Sequence, residues 1–314
     1  MFCEDIMEVL KFLQTIRTGF GDFLLGIITH LGEETVFLAV GLLFLWCIDK
    51  KRGYFILFAG FVGTVINQFL KIVFRIPRPW VIDPSFEIVE SARAEATGYS
   101  FPSGHTQSAS TLFGGIALTE KKWTWLRYSA LAVVILVAFS RMYLGVHTPK
   151  DVLVSLAIGA VLLFVLYPIM MKEHKNPWVM YGTLLTIFAI TLGVFLFVNL
   201  YSFPADTDPV NLQSAIENAS KLLGVVCGMM IVYFLDDKWL RYDIKAVWWA
   251  QIIKVICGIV PIILVKAFLK APLNALLGIA AGNAARYFII VMIAGLLWPM
   301  TFGFFAKLGN KKKA

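Results

Sequence analysis

The chain has 314 residues, 59% of them hydrophobic and only 15% charged, with a mean hydropathy of +0.77. An ordinary globular domain carries about 25% charged residues, so the composition excludes a soluble domain and points to a protein of the bilayer. A net charge of +8 does not argue for nucleic acid here, because the lysines gather at the ends of apolar runs, where they act as topology signals.

The chain opens Met-Phe-Cys-Glu-Asp, acidic where a cleavable signal peptide is basic, so insertion is expected to rely on the spans themselves. Residues 4–17 alternate apolar and charged side chains at helical spacing, which predicts an interfacial amphipathic helix. Residues 18–31 are too short to span and read as an interfacial or re-entrant piece, so 1–32 forms an N-terminal interfacial segment. Apolar runs near 33–48, 54–74, 102–119, 125–146, 150–171, 177–199, 214–235, 246–268 and 284–306 then predict nine spans. The fold class is all-α, a polytopic membrane helical bundle. A break at Phe203-Pro204-Ala205-Asp206 divides it into a six-span core, 33–200, and a membrane extension, 201–314. The cysteines, Cys3, Cys47, Cys227 and Cys257, have no metal-ligand spacing and read as small apolar residues.

With nine spans, the basic clusters at 50–52, 121–122, 172–175, 238–245 and 311–313 fall on one side, which is then the cytoplasmic side. The other side receives the loop 200–212, which holds Asp206 and Asp208 and no lysine or arginine. That side also receives three motifs, so a site built from them faces away from the cytoplasm.

The first motif closes the second span. Lys71 and Arg78 are seven residues apart, about two helical turns, so both side chains reach one face near the membrane surface. Pro77 and Pro79 stop the helix there. A guanidinium fork matches phosphate oxygens and an ammonium supplies a compact charge; the competing reading is a helix end with snorkelling cations. The second motif, Pro102-Ser103-Gly104-His105, opens the third span. Ser100 or Ser103 can cap that helix, and its first amides attract an anion beside His105. The third motif joins the fourth and fifth spans: Ser140-Arg141, then His147, then Asp151 four residues on. A carboxylate at that spacing can fix the imidazole tautomer, and Thr148-Pro149-Lys150-Asp151 also fits a capping box. Together the motifs supply three cations to hold a phosphoryl group, one histidine to attack it and one to protonate what leaves.

These eleven positions resemble the signature of the type 2 phosphatidic acid phosphatase superfamily, which includes lipid phosphate phosphatases and glucose-6-phosphatase. The resemblance covers roughly residues 55–170. It implies a metal-independent hydrolase with no cofactor, working through a phosphohistidine intermediate. His147 would be the nucleophile, oriented by Asp151, and His105 the acid for the leaving oxygen. Lys71, Arg78, Ser103, Gly104 and Arg141 would bind the phosphoryl oxygens, and no Asp/Glu cluster stands near the motifs in the sequence. The expected partners are a lipid phosphate or diphosphate and the membrane. A soluble sugar phosphate is the alternative substrate, and a lipid transporter the alternative from outside enzymology. Localisation follows as a multi-pass cell-membrane protein with an extracytoplasmic site, or an endoplasmic-reticulum protein with a lumenal one.

In the extension, Glu217, Lys221, Lys254, Lys266, Asn283 and Arg286 stand at membrane depth, where ionisable groups mark function or pairing by default. Glu217 and Lys221 are an i, i+4 pair. For Lys254 a lipid-headgroup site, a homodimer contact and a misplaced span boundary all stay open.

Overall fold

The computed structural model describes residues 2–171 and 178–308, with side chains from Met7 onward. The basic loop 172–175 and the tail 311–314, both used above to orient the chain, lie outside the described residues. The helices are, in order, α1 (Phe2–Thr15), α2 (Gly19–His30), α3 (Glu34–Leu43), α4 (Lys50–Phe74), α5 (Pro79–Ile82), α6 (Gly104–Thr119) and α7 (Thr124–Tyr143). They continue as α8 (Pro149–Met171), α9 (Trp178–Leu200), α10 (Pro209–Leu235), α11 (Trp248–Phe268), α12 (Lys270–Met292) and α13 (Phe302–Lys307). No strand occurs among the described residues. The fold is an all-α polytopic bundle.

Among the described residues, seven helical segments are long and apolar enough to cross a membrane, and an eighth is added if α2 and the helical run Glu34–Ile48, bent by 48°, form one broken span. The stretch 18–31, too short by itself, is thus the first half of that bent pair. The expected third span is α6, whose 16 residues rise only about 24 Å against a hydrocarbon core of roughly 30 Å. Its buried face carries Thr106, Gln107, Ser110 and Thr111, so polarity rather than apolar length distinguishes it. The expected last span, 284–306, begins earlier than the apolar pattern indicates. Helix runs from Lys270, broken only where Gly278 adopts a positive φ of 79°. The Pro, Asn and Gly of 272–283 therefore bend the helix instead of ending it.

Contacts divide the chain into two compact units, Met1–Gly41 with Phe55–Lys172 and Ser202–Ala215, and Leu42–Tyr54 with Glu173–Tyr201 and Ile216–Ala314. In the first unit, Met7 and Leu10 of α1 meet Leu25 of α2, Phe86, Ile88 and Ala92 of the segment after α5, Tyr143 at the end of α7, and Leu144 and Val146 just beyond it. The apolar face predicted for the N-terminal helix is thus buried in a protein cluster. Burying side chains of this size stabilises by about 1.5–3 kcal/mol each. Arg17 reinforces the cluster, donating Nε–H to the Tyr143 carbonyl at 2.8 Å and Nη1–H to that of Glu87 at 2.6 Å. The long segment 83–103 is therefore pinned: the Val89 amide donates to Leu144 O at 3.1 Å and the Ser100 amide to Ile76 O at 2.8 Å. Small residues let the helices beneath approach closely, as is usual in membranes; a Cβ on Gly159 of α8 would lie 2.1 Å from Ser110 Oγ of α6.

In the second unit, the fully buried Trp46 donates Nε1–H to Ala294 O at 2.9 Å. Its ring meets Phe302 edge-on, as do those of Tyr242 and Trp298. The buried Asp236 accepts from Lys50 Nζ at 2.7 Å and Tyr54 Oη at 2.9 Å. A Cβ on Gly224 would stand 2.0 Å from Ala284 O, so α10 and α12 touch backbone to backbone.

Candidate active site

All eight residues expected at the site lie in the first unit, and six are buried: Lys71, Arg78, Ser103, Arg141, His147 and Asp151. Lys71, in the last turn of α4, donates to the carbonyls of Tyr99 and, at 3.4 Å, Ser100. Arg78 caps α5 from an extended backbone (φ −71°, ψ 155°). Its guanidinium donates to the carbonyls of Thr97 at 2.6 Å, Gly98 at 3.0 Å and Val146 at 3.0 Å, and from Nη1 to His147 Nε2 at 2.9 Å. These two cations therefore bind the loop that leads into α6 and the turn that carries His147.

Ser103 is the N-cap of α6, accepting from the Thr106 amide at 3.4 Å. Ser100, the other capping candidate, instead donates its hydroxyl to Asp151 Oδ2 at 2.6 Å. Gly104 begins the helix, and a Cβ placed there would meet nothing within 4 Å. Room is therefore left beside the first turn of α6, the end of a helix that attracts an anion.

The turn between α7 and α8 holds the third motif. Gly145 has φ +80°, and a Cβ there would meet Arg17 Nη2 at 2.7 Å and the Phe86 ring at 2.9 Å. Only glycine satisfies both the conformation and the space. Thr148 and Asp151 exchange the two bonds of a capping box: the Thr148 amide donates to Asp151 Oδ2 at 2.8 Å and the Asp151 amide to Thr148 Oγ1 at 3.4 Å. The same Oδ2 lies 3.4 Å from His147 Nδ1. Capping and orienting thus coexist, with the cap and Ser100 making the shorter contacts.

Because a guanidinium only donates, Nε2 of His147 is the acceptor in its contact with Arg78, and the ring proton sits on Nδ1, facing Asp151. Burial, reinforced by the charges of Arg78, Arg141 and Lys71, pushes this imidazole well below its ordinary pKa. It is therefore neutral at pH 7, with its Nε2 lone pair toward the cations. Arg141 donates Nη1–H to Thr29 Oγ1 at 2.7 Å, while its buried Nε and Nη2 have no protein partner. Three buried cations face one buried carboxylate, Asp151. Isolated buried charge is costly, so the arrangement suits a dianion held against Arg141.

The motifs do not announce one wall of this site. The corner between α2 and α3 contributes Thr29, and Gly32 packs so tightly that a Cβ would lie 2.7 Å from His105 O. The fold also brings Glu33 from that corner and Glu95 from the long segment beside His105, with one ligand atom of each residue within 4.8 Å of the others. The only sequence signal for this wall was the short apolar piece at 18–31.

The family model for the PAP2 superfamily matches residues 51–175, and that for the PAP2 superfamily phosphatase transmembrane extension matches 220–311. Among similar proteins, sphingosine-1-phosphate phosphatase 1 of Rattus norvegicus is 25% identical over 213 residues, 66% of this chain and 47% of that protein. Undecaprenyl-diphosphatase of Sulfolobus acidocaldarius is 28% identical over 156 residues, 49% of this chain and 73% of that protein. Phosphatidylglycerophosphatase B of Escherichia coli K12 is 29% identical over 178 residues, 43% of this chain and 66% of that protein. The match thus spans about half the length of the sphingosine-1-phosphate phosphatase. No solved structure matches. With both the motif-bearing core and the membrane extension matched, the chain belongs to the PAP2 superfamily.

Proposed function

We propose that the chain is an integral-membrane phosphatase that hydrolyses a lipid phosphate or diphosphate through a phosphohistidine intermediate. The observation that carries this reading is the buried His147 imidazole, its Nε2 2.9 Å from Arg78 and its Nδ1 toward Asp151, among three buried cations. The phosphoryl oxygens take the place of neutral partners on Arg78 and Lys71 and engage Nε and Nη2 of Arg141, with the Ser103 hydroxyl and the Gly104 amide completing the cradle. Nε2 attacks phosphorus in line, the bond to the leaving oxygen breaks, and His105 gives that oxygen a proton. Water then attacks the phosphohistidine, His105 takes its proton, and inorganic phosphate leaves with the His147 lone pair restored. Charge stabilisation at fixed donors is commonly the largest catalytic contribution, which explains why a site without covalent novelty needs so many cations.

A lipid is favoured because Lys71 and Arg78 end a membrane helix, so an acyl or prenyl tail can stay in hydrocarbon while the phosphate reaches them. The three relatives, a sphingosine-1-phosphate phosphatase, an undecaprenyl-diphosphatase and a phosphatidylglycerophosphatase, support the same class. The catalytic part of this reading is the core, residues 33–200, with 201–314 as its membrane extension. An extracytoplasmic site is supported by the acidic loop after α9, because Thr207 accepts from Arg75 Nη1 at 2.9 Å and the Asp208 amide donates to Tyr99 Oη at 3.3 Å. The loop without basic residues and the motif loop thus share a side, and the positive-inside rule puts that side away from the cytoplasm.

The test is phosphate release by purified protein in detergent with EDTA, over a panel of lipid phosphates, lipid diphosphates and glucose-6-phosphate, with His147→Ala alongside. The expected outcome is turnover on a lipid substrate that falls at least about a thousandfold in the variant, and a 32P label that remains on the wild-type protein after acid-free quenching. Wild-type turnover by His147→Ala would overturn the mechanism, and preference for the sugar phosphate would overturn the substrate class.

A further inference from the structure

Beside the phosphoryl cradle, the fold brings to His105 two carboxylates that the hydrolysis above does not use. Glu33, just past the α2 corner, and Glu95, in the segment before α6, converge on His105 with all three ligand atoms within 4.8 Å of one another. His105 Nε2 is closed off from solvent and has no hydrogen-bond partner. Glu33 is itself held in place: His30 Nδ1 contacts its Oε1, and Thr35 donates to Oε2 at 3.0 Å. Glu95 is exposed, so the cluster opens to solvent on that side.

One imidazole nitrogen and two carboxylates, with an outer ring of groups bonding the ligands, is the donor set of a divalent ion of the zinc class. Calcium and magnesium prefer all-oxygen shells with more ligands. In a tetrahedral zinc site, ligand atoms stand about 3.4 Å apart, so the three ligands draw in on binding, and the exposed Glu95 is the one with room to turn. Two carboxylates this close also repel unless a cation sits with them. Arg141 is close enough to relieve this in part, but its Nη1 is engaged by Thr29.

We propose that Glu33, Glu95 and His105 form a binding site for a divalent cation of the zinc class, and that a bound ion silences the enzyme. The ion takes the lone pair with which His105 receives a proton, so His105 can neither protonate the leaving oxygen nor activate water. The inhibitory half rests on the phosphatase reading above; the binding half does not.

The experiment titrates Zn²⁺ into EDTA-stripped full-length protein in detergent, following bound metal by calorimetry and phosphate release in parallel. Wild type is expected to bind one ion per site with loss of turnover, reversed by EDTA. Glu95→Gln and Glu33→Gln, near-isosteric and checked for folding by size exclusion, should each weaken binding tenfold or more. Glu95→Gln should keep turning over at Zn²⁺ concentrations that stop wild type. Affinity unchanged in both variants, or no binding by folded wild type, would overturn the site. Zn²⁺ bound through Glu95 while turnover continues would overturn the link to His105. Binding that depends on Glu95, in a protein active on no substrate of the panel, would uphold the site and sink the phosphatase reading instead.

Discussion

Both units bury cations in membrane helices, and they treat them differently. In the second unit, Lys254 is fully buried, yet its ammonium donates to Ile244 O at 2.9 Å and stands 4.3 Å from the centre of the Phe302 ring. Arg286 donates to Asn283 Oδ1 at 2.7 Å and to Lys266 O at 3.2 Å, leaving only Nε without a partner. Lys50 meets the carboxylate of Asp236. In the first unit, Arg141 keeps two buried nitrogens unpartnered, and Arg78 donates to the lone pair of a neutral histidine. Depth in the membrane is common to both sets. What separates them is that the second unit answers its cations with local acceptors, whereas the first leaves two donors of Arg141 unpartnered beside His147, the proposed nucleophile.

That contrast can be broken most sharply at Arg141. Replacing it by alanine removes both unpartnered nitrogens and should lower kcat/KM by about a hundred- to a thousandfold, the usual cost of one transition-state donor. Arg286→Ala should leave kcat/KM within about threefold while lowering the thermal midpoint, because its bonds are structural. Measuring both variants on one lipid substrate decides the matter: equal losses in turnover would erase the distinction between the units.

Asp151 tests whether orientation or capping dominates at the third motif. Asp151→Asn keeps an oxygen for the Thr148 amide, so helix α8 should survive, but the charge facing His147 Nδ1 is lost. We expect kcat to fall about tenfold to a hundredfold with the thermal midpoint nearly unchanged. Ser100→Ala removes the 2.6 Å bond to the same oxygen and should cost less in rate, roughly threefold to tenfold, since it acts only through Asp151. A large stability loss with unchanged kcat in the asparagine variant would make the carboxylate a cap alone.

Most of the proposed catalytic set could be read from the chain because its members are bound by local rules. Pro79 fixes the end reached by Arg78, Ser103 caps the helix that presents His105, and Gly145 makes the turn before His147. Each of these is a short-range constraint written in a few consecutive residues. Thr29, Glu33 and Glu95 escaped, since their place at the site depends on the fold around the α2 corner and the 83–103 segment, where no spacing rule operates. The same holds for the spans. Long apolar runs such as α8 and α9 declare themselves, but α6 is short and polar because it is surrounded by protein. Residues 270–283 fell between two expected spans, because their apolar run is interrupted, yet there one left-handed glycine only bends a helix.

The pH profile sharpens the comparison at His147, the proposed nucleophile. Burial, then Arg78, Arg141 and Lys71, depress the His147 pKa, and in the proposed mechanism the reactive form is the neutral one. Activity should therefore persist below the ordinary histidine value of about 6.5 and fall only when the imidazole gains a proton at lower pH. Lys71→Gln removes one positive neighbour, which raises that pKa and moves the acid limb toward higher pH. Following kcat/KM of both proteins on the same substrate cancels the ionisation of the substrate itself. A limb that stays in place or moves to lower pH would mean that Lys71 does not act on His147.

The smallest effect on turnover belongs to Lys254, the residue whose place was least clear from the chain. Near the start of α11, it links Ile244 to Phe302, and its own carbonyl accepts from Trp298 Nε1 at 3.1 Å. These partners satisfy the ammonium within its own unit, so neither a lipid headgroup nor a second chain is needed to account for it. Lys254→Met keeps the length and most of the volume while removing the donor and the charge. The expected loss is about 1–2 kcal/mol, from one hydrogen bond and one cation–π contact, against which the removal of a desolvated charge works in the opposite direction. Turnover should stay within about twofold of wild type while the thermal midpoint in detergent drops by a few degrees. A variant of unchanged stability that lost hydrolysis of lipid but not of a short-chain analogue would instead tie Lys254 to the substrate, and the sharp line between answered and waiting cations would have to be redrawn.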